Sequence, residues 1–252
     1  MFSFPQPARF ARLELERSDG KWDAVLGVVP LRDYDRVRAE MLPTLGPDEA
    51  AYFQRLTHRR RQESFLMGRL AAKVAVAEMA GGGGPEQIEI RRGVFEQPLV
   101  RGTGVEGCSV SISHDAVWGV ALAFRDAHPM AVDVETVGPD ADRGRTIESQ
   151  LSERELEWAR ADSMDASLMV TVLWTAKEAV SKAVGCGLTA PVAWMNLKKF
   201  QSVEAGLWRG EFEGFVQYQS LSWTIGRTAI TVVLPRHSTL RPTGAVAALF
   251  GP

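Results

Sequence analysis

Two long helical patterns, each flanked by strand-like segments, constrain the fold of this chain more than any other feature of its sequence. The first covers residues 57–80, with apolar side chains spaced at i, i+4 and i+7, and the second covers residues 164–184. Short apolar or alternating segments on both sides are typical of strands. The order strand, helix, strand thus occurs twice. It predicts an α+β fold of two similar halves in a pseudo-twofold arrangement, each a small, mainly antiparallel sheet packed on a long helix.

The boundary between the halves is predicted near a turn at residue 128. We expect a hairpin of residues 118–124 and 131–135 around this turn, and two domains, 1–128 and 129–252. Gly81-Gly-Gly-Gly-Pro85 ends the first helical pattern, and the absence of a following Gly-Lys-Ser/Thr argues against a phosphate loop. The closing strands are predicted at 195–200, 214–219, 222–225 and 228–234, with a partly ordered extension after Pro235.

Composition narrows the class of protein without indicating its chemistry. Of 252 residues, 45% are hydrophobic and 24% charged, which excludes wholesale disorder. The net charge of -2 argues against binding nucleic acid through bulk charge. The two cysteines lack CxxC spacing, and neither a signal peptide nor a membrane-spanning apolar run is present. We therefore predict a cytoplasmic, soluble protein with neither nucleic acid nor membrane as a partner.

Residues 131–135, Ala-Val-Asp-Val-Glu, place two carboxylates on one face of a predicted strand. Alternation puts Asp133 and Glu135 on the same side, with Cα atoms about 6.6–7 Å apart. Both side chains can therefore reach one hard divalent ion such as magnesium. Taken alone, the segment favours an ordinary strand with one solvated face.

The second helical pattern carries one narrow polar stripe on an otherwise apolar helix. Thr171, Thr175, Glu178 and Lys182 follow one another at i, i+4, i+7 and i+11. A helix this apolar is expected to be mostly buried, so that its glutamate and lysine face a cleft. The alternative is an ordinary surface pair worth about 0.2–0.5 kcal/mol.

Residues 109–115 contain serine next to histidine, which raises the question of a hydrolase. Neighbouring strand residues point to opposite faces and cannot act together as nucleophile and base, and the Gly-x-Ser-x-Gly elbow is absent. Hydroxyl and imidazole groups at a strand end are better suited to phosphate oxygens. A serine-rich turn is the competing interpretation.

Together, these segments resemble the 4′-phosphopantetheinyl transferases of the surfactin-synthetase-activating (Sfp) type. The family looks like Ser-His, then (Val/Ile)-Asp-(Val/Ile)-Glu, then Trp-x-x-Lys-Glu-x-x-x-Lys, and this chain has Ser113-His114, Val132 to Glu135, and Trp174 to Lys182 in that order. Residues 59–69 are similar to the family's basic helix, and residues 151–155 to its Ser-x-x-Glu segment. The resemblance covers about residues 45–190, and its third motif is the most specific.

The resemblance implies transfer of the phosphopantetheine arm of coenzyme A to a serine of an apo carrier protein, as in holo-[acyl-carrier-protein] synthases. It implies Mg²⁺, with Mn²⁺ as an alternative, held by Asp133, Glu135 and Glu178, and Asp133 also counts among the catalytic residues. Glu178, directly or through metal-bound water, would be the general base, and Lys182 would stabilise the leaving phosphate. The residues expected to bind coenzyme A are Arg60 before Arg61, Arg69, Ser113, His114, Lys177 and Lys182.

The local charge agrees with phosphate binding by the first half of the chain and metal binding by the second half. Residues 55–101 carry nine Arg or Lys against five Glu, and residues 133–157 carry eight Asp or Glu against three Arg. A departure from the family is Gln97, where a lysine is usual; Arg91, Arg92 or Arg101 would have to replace it. We expect a monomer. Two alternatives remain open: a magnesium-dependent phosphotransferase on another nucleotide, and a non-catalytic homologue that binds coenzyme A or carrier proteins.

Overall fold

The computed structural model describes residues 8–31, 34–161 and 164–251. The chain forms two compact units, one running up to Pro129 and resumed from Ser238, the other from Met130 to His237. The segment from Ser238 thus belongs with the first unit, whereas the sequence suggested the second half. Of the helices described, none is long and apolar enough to cross a membrane.

The first unit is built on a five-stranded antiparallel sheet in the order β12-β1-β2-β6-β5. Its strands are β1 (Arg9–Arg17), β2 (Gly20–Pro30), β5 (Cys108–His114), β6 (Trp118–Arg125) and β12 (Thr239–Arg241). Its remaining elements are α1 (Tyr34–Met41), α2 (Pro47–Gln54), α3 (Arg59–Met79), the hairpin β3 (Ile88–Arg92) and β4 (Pro98–Gly102), and α7 (Gly244–Ala248).

The long helix α3 packs on this sheet through a side that is apolar and buried from Leu66 onward. Two glycines allow the close approach, because a Cβ on Gly27 would lie 2.5 Å from Ala71 O and one on Gly119 would lie 2.9 Å from Met67 C. The helix ends at Met79, and Gly81 follows with a φ of 85°. The glycine run therefore terminates the helix, as predicted.

The second unit repeats this plan with the sheet order β7-β11-β10-β9-β8, again antiparallel throughout. Its strands are β7 (Ala131–Thr136), β8 (Leu197–Glu204), β9 (Leu207–Phe212), β10 (Tyr218–Ile225) and β11 (Thr228–Pro235). Its helices are α4 (Ala141–Glu148), α5 (Glu153–Ala161) and α6 (Ala166–Ala183). The prediction of an α+β fold with antiparallel sheets on long helices is confirmed.

Three predictions of local structure were wrong. Strands β6 and β7 form no hairpin, because β6 pairs with β2 and β5 while β7 pairs with β11. The strand expected at 214–219 is largely a loop, and β9 precedes it. The extension after Pro235 forms β12, paired with β1, and the short helix α7.

A buried lysine and glutamate recur at matching places in the two units. In the first, Lys73 Nζ of α3 lies 2.9 Å from Glu49 Oε2, and Glu49 also accepts from Gly46 N and, in β3, Ile90 N. In the second, Lys177 Nζ of α6 lies 2.8 Å from Glu155 Oε2, and Glu155 accepts from the backbone N–H groups of Ser152 and, in β8, Leu197. Each glutamate thus caps the start of a short helix and joins that helix to a strand and to the long helix.

Candidate active site

Strand β7 presents Asp133 and Glu135 on the same face, as alternation requires. Asp133 pairs across the sheet with Thr231 and is 1% exposed; Glu135 pairs with Ala229 and is 9% exposed. Residues Val132 and Val134 are fully buried. The strand therefore brings two carboxylates into a largely enclosed setting, which excludes the solvated-face interpretation.

Helix α6 supplies a third carboxylate. Asp133, Glu135 and Glu178 each offer an oxygen, and these oxygens all lie within 4.8 Å of one another. Further along the polar stripe of this helix, Thr175 Oγ1 lies 2.7 Å from Thr231 Oγ1 in β11. The stripe thus faces the sheet, and its orientation places Glu178 against β7.

Two cations contact this acidic cluster. Lys182 Nζ donates to Asp133 Oδ1 at 2.6 Å and to Val132 O at 3.4 Å. Arg143 Nη2, in α4, lies 2.6 Å from both carboxylate oxygens of Glu135. Lys182 was predicted at the site. Arg143 was not predicted there, because the polar sequence of α4 lacks the apolar spacing that indicates a helix. The available signal was Asp140, an N-cap residue three positions before Arg143.

The cluster also shifts the protonation of Glu178. Burial, and then the negative charge of Asp133, raise the pKa of Glu178 to about 7, against the opposing effects of Lys182 and Arg143. A carboxyl group that titrates near neutrality can both accept a proton and bind a cation at physiological pH.

The donor set fits a hard divalent ion. Magnesium and manganese prefer carboxylate oxygens, and three of them converge here. Burial, and then the negative charge of Asp133, raise the pKa of Glu178, and a dication would counter both by stabilising the charged carboxylate. Asp133, Glu135 and Glu178 are therefore suited to hold Mg²⁺.

Lys177 does not join this site, contrary to the expectation that it binds coenzyme A. Its side chain is fully buried, and its ammonium donates to Gln150 O at 3.0 Å and Asn196 Oδ1 at 2.6 Å besides pairing with Glu155. An ammonium has three N–H donors, and these three partners engage them all. Lys177 is a structural residue.

In the first unit, two of the three predicted arginines line one cavity of about 650 Å³. Arg61 and Arg69 line it, together with Tyr52, Phe65, Arg55, Arg91 and Arg92. Arg69 is mostly buried and lies 3.4 Å from Glu49 Oε1 and 4.7 Å from the centre of the Phe65 ring, and burial lowers the pKa of its guanidinium. Arg60, the first choice from sequence, is exposed near the start of α3 and is absent from the lining.

The other predicted residues of this unit lie at the end of β5. Ser113 is 6% exposed and the neighbouring His114 is exposed, as expected for adjacent strand residues. Gln97, which stands in place of the usual lysine, uses its side-chain oxygen to accept from Phe95 N at 2.9 Å. Of the three arginines considered as replacements for that lysine, Arg91 and Arg92 line the cavity.

The sequence of the second unit matches one known family. Residues 129–233 fit the model of the 4′-phosphopantetheinyl transferase superfamily, and this range contains Asp133, Glu135, Glu178 and Lys182. Residues 129–233 are a domain of that superfamily. The superfamily domain therefore includes the whole acidic cluster, and the resemblance inferred from the three motifs is confirmed at this level. The narrower assignment to the Sfp type stays a prediction.

Solved structures with similarity to the chain include two holo-(acyl-carrier-protein) synthases. The enzyme from Bacillus anthracis, in complex with CoA (3′,5′-ADP), is 21% identical with a TM-score of 0.35; the match covers 46% of this chain and 96% of that one. The enzyme from Helicobacter pylori, in complex with coenzyme A, is 20% identical with a TM-score of 0.33, covering 44% and 96%. A comparison with curated protein sequences gave no match.

Proposed function

We propose that this protein transfers the 4′-phosphopantetheine arm of coenzyme A to a serine hydroxyl of an apo carrier protein and releases 3′,5′-ADP. The observation that carries the proposal is the convergence of Asp133, Glu135 and Glu178, with Lys182 beside them, inside the superfamily domain. This cluster brings together the acid–base and charge-stabilising groups that the reaction requires.

The bond changes define what the side chains must do. The serine oxygen forms a bond to the phosphorus that bears the pantetheine arm, and the pyrophosphate bond to 3′,5′-ADP breaks. The serine proton has to leave, and the bridging oxygen departs with negative charge. Mg²⁺, when bound by the three carboxylates, supplies charge neutralisation at the phosphates.

Glu178 is the group best suited to remove the serine proton. A pKa of about 7 without metal leaves Glu178 partly deprotonated at neutral pH and basic enough to take a proton, and a bound dication would increase its charged fraction. Its position on the polar stripe of α6 directs it to the cluster rather than to the apolar core.

Lys182 is suited to stabilise the departing phosphate. Its side chain is 29% exposed, so the ammonium remains accessible while Asp133 holds it at 2.6 Å. A cation held in place by a buried carboxylate needs little reorganisation when negative charge develops nearby.

The basic cavity of the first unit supports coenzyme A as the substrate. Arg61, Arg69, Arg91 and Arg92 contribute guanidinium groups, which suit phosphate oxygens, and Tyr52 and Phe65 add aromatic surface of the kind that contacts a nucleobase. We propose that these arginines bind phosphate groups of coenzyme A. Ser113 and His114 stay predicted phosphate contacts, and a monomeric, cytoplasmic enzyme stays a prediction.

The test is direct transfer to a carrier protein. A panel of apo acyl and peptidyl carrier proteins is incubated with the enzyme, coenzyme A and Mg²⁺, and intact-mass spectrometry follows the gain of one phosphopantetheine arm. The Glu178→Gln variant is the matched control. Modification of the carrier serine by the wild-type enzyme only would support the proposal. Binding of coenzyme A without transfer to any carrier would favour the non-catalytic alternative.

A further inference from the structure

Arg143 contacts the acidic cluster from outside the strand and helix that form it. It lies in the first turn of α4, where Asp140 Oδ1 accepts from Asp142 N at 3.0 Å and from Arg143 N at 3.2 Å. This cap fixes the helix start, and with it the point from which the arginine side chain extends. The side chain then reaches back to the end of β7.

The contact with Glu135 uses both of its carboxylate oxygens. A single nitrogen, Nη2, lies 2.6 Å from Oε1 and 2.6 Å from Oε2. A charge-assisted bond of this length is among the stronger ones in proteins. Any ion that binds through Glu135 must use one or both of these oxygens.

The two partners differ in their freedom to separate. The Glu135 side chain is 11% exposed, whereas that of Arg143 is 48% exposed. Because Arg143 is already half exposed, its guanidinium can move into solvent at a small free-energy cost. Glu135 is enclosed and cannot move in this way. This is unlike the pair of Lys182 and Asp133, in which the lysine also donates to the backbone of β7.

We propose that Arg143 is a positioning residue of the metal site: it holds the Glu135 carboxylate while no ion is bound, and it competes with the ion for that carboxylate. The inference rests on the proposed function insofar as it requires the cluster to bind a divalent metal. Arg143 thereby sets how tightly the site holds its metal.

Removal of a metal ligand weakens ion binding, whereas removal of the Arg143 charge should strengthen it. Without the positive charge of residue 143, the ion no longer competes with Arg143 for Glu135, and a repulsion near the ion disappears. Arg143→Gln should therefore tighten divalent-ion binding about 3- to 10-fold, the effect of one partly screened charge beside a dication. Arg143→Lys keeps the charge and should stay within about twofold of wild type.

The experiment measures Mn²⁺ binding to the full-length protein by electron paramagnetic resonance of the free ion, without any turnover. Arg145→Gln is the matched control: it removes the same charge from the same helix, where Arg145 pairs with Asp142 and both side chains are exposed. Arg143→Gln is also measured in a Glu135→Ala background, where its effect should shrink to the part due to charge repulsion because the contested carboxylate is absent.

Tighter binding in Arg143→Gln alone supports the inference. Unchanged or weaker binding in Arg143→Gln would overturn it, as would an equal gain in Arg145→Gln. If the wild-type protein binds no Mn²⁺, or binds it equally well in Asp133→Asn, then the metal site in the proposed function fails together with the inference. Wild-type binding that depends on Asp133 but not on Arg143 refutes only the inference.

Discussion

Lys182 Nζ lies 2.6 Å from Asp133 Oδ1, so the last turn of α6 is joined to the middle of β7 within the acidic cluster. Asp133 is 1% exposed, and its geometry is therefore set by the surrounding protein as well as by any bound ion. Glu135 lies closer to the strand end and shares its carboxylate with Arg143. These two ligands should consequently respond differently to substitution.

We expect Asp133→Ala and Glu135→Ala each to lose most transfer activity without unfolding, and excess Mg²⁺ to restore Glu135→Ala better than Asp133→Ala. The more enclosed carboxylate is the harder one to replace by added ion or water. Transfer rates over a magnesium titration, beside thermal melts, check this. Wild-type turnover that persists in EDTA would rule out a role for the metal.

Glu178→Gln should reduce turnover about 10²- to 10⁴-fold, the usual contribution of general acid–base catalysis, with a much smaller change in coenzyme A affinity. In the wild type, the single-turnover rate should rise with pH as Glu178 loses its proton, with a midpoint below about 7 because bound Mg²⁺ favours the charged carboxylate. The residual rate of the variant should lack this rise. A pH profile of the same shape in both proteins would assign the proton transfer to another group.

The same pKa has a consequence for stability. Glu178 has a folded-state pKa of about 7 against an ordinary value of 4.5, so the folded protein binds its proton more tightly than the unfolded chain does. The stability contributed by that proton is present at acidic pH and is lost as pH rises through about 7. In EDTA, Glu178→Gln should therefore melt higher than wild type at pH 8, and the difference should shrink at about pH 5. An unchanged difference at both values would contradict the shift.

Arg61→Ala should weaken binding of coenzyme A about 10- to 100-fold, the range for loss of a hydrogen bond to a charged group, and should affect 3′-dephospho-coenzyme A much less. The cavity favours Arg61 over Arg60, and Arg60→Ala serves as the matched control. Isothermal titration calorimetry with both ligands gives the comparison. Equal losses for the two ligands would place Arg61 away from the 3′-phosphate.

Lys177→Met should cost about 3–5 kcal/mol of unfolding free energy, because it leaves the buried Glu155 without its cation. Lys73→Met should cost less, because Glu49 keeps the guanidinium of Arg69 at 3.4 Å. Urea unfolding measures both, and Lys177→Met combined with Glu155→Gln should regain part of the loss. If Lys177 bound coenzyme A instead, the single variant would stay stable and lose only ligand affinity.

The strand and the helix of the acidic cluster could be predicted from the sequence because their patterns are local. Alternation along β7 predicts that Asp133 and Glu135 share a face, and helical spacing predicts that Glu178 and Lys182 do. Their convergence followed from the resemblance of the motifs, since no periodicity within one element specifies a neighbour in another. The positions of β7 and α6 bear out both local arguments.

The sequence did not predict three features: strand β12, the partner of Lys177, and the role of Arg143. The first two depend on contacts between distant parts of the chain. Strand β12 owes its existence to pairing with β1, more than two hundred residues away, and its own three residues carry too little pattern to predict it. Lys177 directly precedes Glu178 in the third motif, and only the packing of α5 against α6 shows that its partner is Glu155. Arg143 was missed because α4 is polar, with an apolar face too small to detect.

The recurring lysine–glutamate pair is a structural contact in both units, and the residue that follows its lysine differs between them. Glu178 directly follows Lys177, and at the matching position of α3, Val74 directly follows Lys73 and is 1% exposed. One copy of the scaffold thus carries an acid where the other carries core packing. For protein engineering, the position after the paired lysine is the one to vary. In the second unit, another polar side chain at this position would face the acidic cluster. In the first unit, a carboxylate at this position would enter an apolar interior and would need a counter-charge.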